Sequence, residues 1–422
     1  MTTYSAVVTT GIYCRPGCGA RPLEQNTRTF DQPAAAEAAG FRACYRCRPY
    51  RVAGPVSATA PELVCEAVQQ IINGALDDGG TEQKLAASVG MSARHLRRLF
   101  LQHLGASPDQ LARSRRAHFA RRLLDDTDLT VLEIAFASGF GSLRQFNRIM
   151  REVFRAAPVD LRERRQRADR LAADGGLTLR LPVSPGYDWN AVRAFLAARL
   201  IPGVEQVDGD TYRRTITVAD APGLLEVTSK DKDCLLLRVH LPYWEGLIHV
   251  VDRVGLLLGV HTDFSAGVTA LLGDRTLGPL IARRPGLVIP GAWNPYEIAV
   301  QERLSRTELG EFVRRHGTPV PGLPGDLTHT FPGRVAEYSV PSEYVALRQG
   351  RRDAFPLTHP SLRAALTDLG LDTASPPDNW RPWLALAATH LIAHGDTFAG
   401  QREVVAASSA EAGLTGAGRP PA

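Results

Sequence analysis

Six cysteines punctuate the 422-residue chain, at positions 14, 18, 44, 47, 65 and 234, and four of them fall within 34 residues. They form two close pairs: Cys14-Arg15-Pro16-Gly17-Cys18, then 25 intervening residues, then Cys44-Tyr45-Arg46-Cys47. Brought together, such pairs offer four thiolates to one tetrahedral Zn²⁺ at roughly 2.3 Å each. In a chain without an export signal, close pairs of this kind serve metals more often than disulfides. Spacing alone leaves two uses open: a structural clip that lets a small domain fold, or a thiolate centre that does chemistry.

A second constellation is basic rather than thiol-rich. Thr81-Glu82-Gln83-Lys84-Leu85-Ala86-Ala87-Ser88-Val89-Gly90-Met91-Ser92 reads as a helix, a glycine turn and a capping serine. An Arg-rich helix follows, with Arg94, Arg97 and Arg98. The grammar repeats at Leu132–Phe140, followed by Ser142-Leu143-Arg144-Gln145-Phe146-Asn147-Arg148, and Phe154-Arg155-Ala156-Ala157-Pro158 closes the second unit. Two helix-turn-helix units on one chain place two second helices for adjacent major-groove segments without a dimer. Leu96, Leu99, Phe100, Phe140 and Phe146 are their expected core.

Charge agrees with that placement. Residues 1–170 hold 25 Lys or Arg against 17 Asp or Glu, and residues 171–422 hold 24 against 27, within an overall charge of +5. A basic first part on an acidic remainder suits a polyanionic partner. No apolar run reaches a membrane span. The start, Met1-Thr2-Thr3-Tyr4, lacks the features of a secretory signal, so the cytoplasm is the expected location and no membrane partner is expected.

The elements that must hold these groups are legible in outline. Residues 1–50 are turn-rich around their cysteines, and 51–61 form a Pro/Ala/Ser/Thr linker. From Glu62 to about Arg170 apolar residues recur at spacings of three and four. After Gly175-Gly176 the pattern predicts a helix at Asp188–Leu200 and strands at Thr211–Val218, Leu224–Thr228 and Leu235–Leu241. Helices are expected at Leu247–Leu258 and again from Pro295. The stretch Gly317–Pro341 is rich in Pro and Gly, and the tail after Ala407 is small and polar.

Three resemblances cover most of the chain. Thr9-Thr10-Gly11-Ile12-Tyr13-Cys14-Arg15-Pro16-Gly17-Cys18 with Ala39-Gly40-Phe41-Arg42-Ala43-Cys44-Tyr45-Arg46-Cys47 resembles the N-terminal domain of the bacterial Ada family, over residues 4–49. The resemblance implies that one zinc thiolate irreversibly takes the methyl group of a DNA methylphosphotriester. By motif position the acceptor is Cys14, a ligand together with Cys18, Cys44 and Cys47. Four thiolates on Zn²⁺ carry a formal −2; methylating Cys14 leaves −1, which lowers repulsion from DNA. Arg15, Arg21, Arg28, Arg42 and Arg46 are the candidate backbone contacts.

Residues 62–165 resemble the AraC-type DNA-binding domain, with Gly139-Phe140 and the trailing Phe154-Arg155-Ala156-Ala157-Pro158 most distinctive. The resemblance implies that Ala93, Arg94, Arg97 and Arg98 face DNA from the first recognition helix. It implies the same for Ser142, Arg144, Gln145, Asn147 and Arg148 from the second. Double-stranded DNA, both promoter and alkylated, is the expected partner of a monomer, and RNA polymerase a further one.

Tyr187-Asp188-Trp189, Pro290-Gly291-Ala292-Trp293-Asn294-Pro295-Tyr296-Glu297, Glu343-Tyr344-Val345-Ala346-Leu347-Arg348 and Asp353-Ala354-Phe355-Pro356 resemble the AlkA-type 3-methyladenine glycosylases. Two parts that the family needs are missing. The Leu-Pro-Gly-x-Gly hairpin that grips phosphate is absent, with Leu327–Pro332 upstream of it running on to Glu343 downstream. The family's catalytic Asp after Phe355-Pro356-x-Thr is His359, which cannot supply a carboxylate's charge to an oxocarbenium-like sugar.

The expected fold class is therefore multidomain α+β. It comprises a small α/β zinc domain (1–50), a linker (51–61) and an all-α double helix-turn-helix (62–170). An AlkA-like N-terminal α/β domain (177–270), a truncated, degenerate glycosylase-like helical domain (271–405) and a disordered tail (406–422) complete it. The leading expectation is a DNA-alkylation-responsive transcription regulator and stoichiometric methylphosphotriester methyltransferase whose glycosylase activity is lost. The alternatives are a working 3-methyladenine glycosylase and a pure regulator with a structural Cys14.

Overall fold

The computed structural model describes residues 3–20, 23–51, 60–77, 79–166, 169–171, 176–261, 265–334 and 342–396. Linker residues 52–59, the tail 406–422 and Arg21 lie outside them. The architecture is multidomain α+β, as expected.

The first unit is a four-stranded sheet in the order β3-β1-β2-β4, made of β1 (Tyr4–Val7), β2 (Ile12–Cys14), β3 (Thr27–Phe30) and β4 (Arg42–Ala43). One helix, α1 (Pro33–Ala38), covers it with three buried alanines. Pro at the first turn is preset for a helix and lacks the N–H that would go unbonded there. Tyr4 and Tyr13 are buried edge-to-face, centroids 6.0 Å apart.

The helix-turn-helix region holds α2 (Glu62–Ile72), α3 (Glu82–Ser88), α4 (Ala93–Leu104), α5 (Pro108–Asp126), α6 (Val131–Ala137), α7 (Leu143–Phe154) and α8 (Pro158–Glu163). Side-chain oxygens set the starts: Thr81, Ser92, Ser107, Thr130 and Ser142 each accept a backbone N–H three residues on. Ser107/Gln110 and Thr130/Glu133 form reciprocal boxes. The turns between paired helices need left-handed backbone, and Gly90 (φ 71°) and Gly139 (φ 76°) supply it.

The third unit is an antiparallel sheet in the order β5-β9-β8-β7-β6, from β5 (Leu177–Pro182), β6 (Glu205–Asp208), β7 (Thr211–Val218), β8 (Ala221–Asp231) and β9 (Cys234–His240). The helices α9 (Trp189–Ala197) and α10 (Leu247–Leu257) accompany it. The expected strand at 211–218 has the observed bounds, whereas the one at 224–228 is longer. Strands β5 and β6 were not anticipated. The last unit contains α11 (Ser265–Leu271), α12 (Leu277–Arg283), α13 (Pro295–Gln301), α14 (Arg306–His316), α15 (Glu343–Arg348), α16 (Pro360–Asp368) and α17 (384–396).

The cores do not respect the sequence segments. One continuous apolar cluster runs from Tyr4 and Tyr13 through Leu123, Phe140 and Phe154 to Leu237 and Val254. It thereby joins the first sheet, the second helix-turn-helix and the five-stranded sheet. The first helix-turn-helix has its own cluster around Leu85, Leu96 and Phe100, and the last unit another around Leu362 and Leu391. A polar hub stitches the joint at the end of α5. Buried Asp125 accepts from Tyr50 Oη (3.0 Å), Asp126 meets Arg51 (3.0 Å) and Arg180 of β5 (2.6 Å), and Asp169 meets Arg48 (2.6 Å).

Candidate metal centre and nucleic-acid interface

Backbone pairing assembles the four cysteines. Cys14 ends β2 opposite Ser5, and β2 pairs in parallel with β4 at Tyr13↔Ala43. The Cys44 N–H then donates to the Tyr13 carbonyl (2.9 Å), which sets the second pair beside the first. Left-handed Gly17 (φ 74°) turns the chain from Cys14 back to Cys18. One residue before Cys14, fully buried Tyr13 donates to Glu37 (2.7 Å), which also meets His118 of α5 (2.6 Å). The end of β2 is thus tied to the helix-turn-helix.

The four ligand sulfurs lie within 4.8 Å of one another, the only cluster of its kind among the described residues. A tetrahedron with 2.3 Å bonds needs sulfurs roughly 3.8 Å apart, so the set fits Zn²⁺. As bare thiols they resist ionising together. Burial, then Cys47 and Cys44, push the Cys14 thiol far up. Burial, joined by Cys44 and opposed by the Arg15 N–H, pushes Cys47 up to about 12. Burial also works against the Cys44 thiolate, but N–H groups of Cys47 and Arg46 outweigh it and bring that thiol down. A dication at the centre reverses the balance for Cys14 and Cys47 and reinforces it for Cys44. The chain binds Zn²⁺, and Cys14, Cys18, Cys44 and Cys47 are the residues whose sulfurs the structure brings close enough to hold it.

The sulfurs differ in their surroundings. Cys44 and Cys47 accept backbone N–H bonds, which stabilise charge on sulfur, whereas no backbone N–H is among the principal groups acting on Cys14. Cys14 is also the most enclosed, 7% exposed. Arg15 and Arg46 are exposed beside the cluster. Arg28 is exposed over Phe30 (5.4 Å), and Arg42 lies over Tyr45 (4.3 Å) and donates to the Ala43 carbonyl. Cys65 and Cys234 stand apart, their thiols on backbone carbonyls.

On α4, Arg94, Arg97 and Arg98 are exposed, with Arg97 3.7 Å from Glu82 and Arg98 3.4 Å from His95. Ala93 is half-buried against the first helix-turn-helix core, so only part of it faces outward. On α7, Ser142 is spent as the N-cap, accepting from Gln145 N–H (3.2 Å). Arg144 and Arg148 are exposed, and Gln145 and Asn147 half-buried. Two residues were missed: Arg151 and Arg155, also exposed, share a groove with Arg144, Asn147 and Arg148. Positions 144, 148 and 151 fall on one face of α7, a spacing visible in the sequence, and Arg155 joins them from the left-handed C-cap.

The zinc knuckle docks on this second recognition helix. Tyr45, between Cys44 and Cys47, donates through Oη to the Phe154 carbonyl at the end of α7. Its ring is flanked by Arg42 at 4.3 Å and Arg164 at 4.7 Å. Arg155, in the left-handed C-cap, donates to the Gly40 carbonyl (3.4 Å).

In the last unit, His359 sits at the N-cap of α16 with no side-chain cap bond. Its Nδ1 is buried without a hydrogen-bond partner, its ring lies 4.6 Å from that of Tyr344, and burial pushes its pKa down. Asp353 is exposed and faces Arg381 (3.7 Å), not His359. Between Phe331 and Glu343 only eleven residues intervene, of which 335–341 lie outside the described set. Two helices and a hairpin do not fit in that length.

Sequence reasoning missed one further buried site. Arg214 of β7, 1% exposed, pairs with Glu205 (3.0 Å) and Glu297 (2.9 Å), and Tyr212 donates to Glu205 (2.7 Å). It fastens α13 to the five-stranded sheet.

Comparison with known proteins follows the same division. The metal binding domain of Ada matches residues 2–50, the helix-turn-helix domain residues 85–164 and the AlkA N-terminal domain residues 178–294. The "Probable bifunctional transcriptional activator/DNA repair enzyme AlkA" of Mycobacterium tuberculosis is 33% identical over 457 aligned positions, covering 92% of this chain and 91% of that one. Since 92% of this chain is about 388 residues, several tens of aligned positions have no counterpart in it. The Escherichia coli bifunctional transcriptional activator/DNA repair enzyme Ada is 36% identical over 125 residues, 28% of this chain and 32% of that one. Bacillus subtilis AdaA, carrying the same bifunctional description, is 27% identical over 161 residues, 38% and 74% of the two chains.

Proposed function

The chain belongs to the family of bifunctional transcriptional activator/DNA repair enzymes that join an Ada-type metal domain and a helix-turn-helix to an AlkA region. On that premise we propose that it is a DNA-alkylation-responsive regulator that takes a methyl group from DNA methylphosphotriesters onto Cys14 and then binds promoter DNA. The observation that carries this reading is the single four-sulfur cluster, flanked by exposed Arg15 and Arg46 on a unit docked to a recognition helix.

Zn²⁺ held by Cys14, Cys18, Cys44 and Cys47 keeps these sulfurs deprotonated at neutral pH. Cys14 Sγ attacks the methyl carbon; an S–C bond forms, the C–O bond breaks, and its electron pair stays on the phosphate oxygen. A neutral triester becomes an anionic diester, and no proton moves. Cys14 suits this role because no backbone N–H is among the principal groups acting on its sulfur, whereas such donors hold charge on Cys44 and Cys47. Arg15 and Arg46 steady the flanking phosphates. The thioether is not reversed, so one molecule is spent per event.

DNA is then read by Arg94, Arg97, Arg98 and the exposed part of Ala93 on α4, and by Ser142, Arg144, Gln145, Asn147 and Arg148 on α7. With both helices on one chain, the protein acts as a monomer, and as an activator it engages RNA polymerase. Base excision is lost: His359 replaces the needed carboxylate, and the phosphate-gripping hairpin has no room. Mass spectrometry after exposure to methylphosphotriester DNA tests the reading. A single methyl on the Cys14 peptide is expected; methyl on Cys44, or none, overturns it.

A further inference from the structure

The two helix-turn-helix units share one helix but not one core. The first half of α5 packs Leu111 and Ala112 into the cluster of the first, and the second half packs Ala117, Ala120 and Leu124 into the cluster of the second. Arg115 and Arg116 stand at the changeover, and both are held by groups outside α5. Arg115 donates to the Ile71 carbonyl at the end of α2 (3.3 Å) and to Asp252 of α10 (2.7 Å). Arg116 donates to the Leu76 carbonyl (2.8 Å) and pairs with Asp77, which also meets His249 of α10 (3.1 Å). The Arg116 and Asp77 side chains are 10% and 12% exposed, so solvent screens their pairing little. The His249 ring fits against left-handed Gly74 (φ 91°), where a Cβ would come within 2.9 Å of its Cε1. The helix α10 reaches the second helix-turn-helix as well. The Gly246 N–H at its start donates to the Phe136 carbonyl near the end of α6 (3.2 Å). Ile248 Cγ2 and Asp77 Oδ2 lie 3.5 and 3.7 Å from where a Cβ on Gly139 would stand, so the turn of the second helix-turn-helix closes on both. Leu247, Ile248 and Val251 are buried in the same core as Phe140. The last unit adds a further tie to α2, where Arg352 donates to the Ala60 carbonyl (3.0 Å) and Arg351 meets Glu66 (3.8 Å).

We propose that the AlkA-like part, through α10, is a brace that fixes the two helix-turn-helix units in one orientation and so sets the separation at which α4 and α7 meet DNA. This rests on the reading of α4 and α7 as DNA-binding helices, and it gives the glycosylase-like remainder a use that needs no base excision. A helix gripped by a separate unit at each end fixes their distance, whereas their mutual tilt is set by contacts off its axis. Asp252, His249 and Ile248 supply those contacts from a single helix. A chain held in this way meets two major-groove segments at one spacing, because its two recognition helices are ordered before DNA arrives.

The test compares full-length, zinc-loaded protein with its Asp252→Asn/His249→Ala variant, which touches neither the zinc site nor the DNA-facing residues. The probe is a duplex that the unsubstituted chain selects from a random pool, used as selected and with two base pairs inserted between its two contacted segments. The insertion turns one segment by about 70° around the duplex relative to the other, at roughly 10.5 pairs per turn. It should weaken binding by the unsubstituted chain at least about thirtyfold, the order of one helix's base contacts, and by the variant no more than about fivefold. A second measurement needs no DNA. Leu101 and Leu132, exposed on α4 and α6, are each replaced by p-acetylphenylalanine carrying a ketone-specific spin label, which leaves the cysteines unlabelled. The distances between labels should form one narrow distribution in the unsubstituted background and one at least about twice as wide in the variant. A broad distribution before the substitution, equal widths in both proteins, or equal losses on insertion overturns the proposal. Should insertion cost neither protein any affinity, the pairing of α4 and α7 on DNA is what fails, and the label distances decide the brace by themselves. Should the double variant not fold, the width in the unsubstituted chain and the milder Asp252→Asn decide.

Discussion

Methylating Cys14 should tighten binding to any DNA duplex by an amount set by salt. The zinc cluster with four thiolates has a formal charge of −2, and exposed Arg15 and Arg46 bring that tip of the molecule to zero. Arg42 is committed to Tyr45 and the Ala43 carbonyl, so it is left out of the sum. Conversion of Cys14 to a thioether moves the tip to +1. One added effective positive charge facing phosphates steepens the slope of log K against log salt by about 0.9. The gain is then about eightfold at 0.1 M salt, rising to about fifteenfold at 0.05 M and falling to about fourfold at 0.2 M. Fluorescence anisotropy with one fixed duplex, across that salt range, measures it before and after reaction with methylphosphotriester DNA. Cys14→Ser should show no change after the same treatment. Equal salt slopes for the methylated and unmodified protein would refute the electrostatic account, even if methylation itself is confirmed.

Metal analysis should give close to one Zn²⁺ per chain, lost on Cys44→Ala or Cys47→Ala. Because Tyr4 and Tyr13 share a core with Phe154, chelation should also lower the thermal stability of the helix-turn-helix region. Arg97→Ala and Arg148→Ala should each weaken specific binding by about 1–3 kcal/mol with zinc content unchanged; intact sequence preference in both would displace the proposed DNA face. Purified protein should release no 3-methyladenine from alkylated DNA, and release abolished by a substitution within 290–390 would restore the glycosylase reading. Arg214→Met leaves Glu205 and Glu297 buried without their cation and should cost about 3–5 kcal/mol in denaturant melts. Asp77 supplies a pH limb. Burial alone would raise its pKa, but the His249 hydrogen bond and then Arg116 outweigh it and hold it below 3.8. Its contribution is therefore complete above that value and fades as pH falls through the lower folded pKa, and Asp77→Asn should flatten stability below about pH 4.

The sequence by itself determined the parts whose physics is local. Cys14, Cys18, Cys44 and Cys47 announce a zinc site because short loops fix the pairs, leaving only their meeting to be supplied by the β2–β4 pairing. Thr81, Ser92, Thr130 and Ser142 mark helix starts because a cap bonds three residues away, and Gly90 and Gly139 mark turns because backbone hand is a property of one residue. His359 could be placed from the residues beside it. The strand at 211–218 showed its alternation, whereas β6, four mostly polar residues at a sheet edge, offered none. Arg151 is legible as the continuation of the helical stripe of Arg144 and Arg148, whereas Arg155 reaches the same groove from the left-handed C-cap, which no helical spacing marks.

Only the tertiary structure decided what lies between the parts. Tyr45 reaches Phe154 across 109 positions, Arg214 reaches Glu297 across 83, and Arg352 reaches the Ala60 carbonyl across 292. No periodicity or short motif encodes such pairs, because each partner alone looks like an ordinary surface group. A buried charge such as Arg214 is tolerable only once distant chain segments supply its counter-charges.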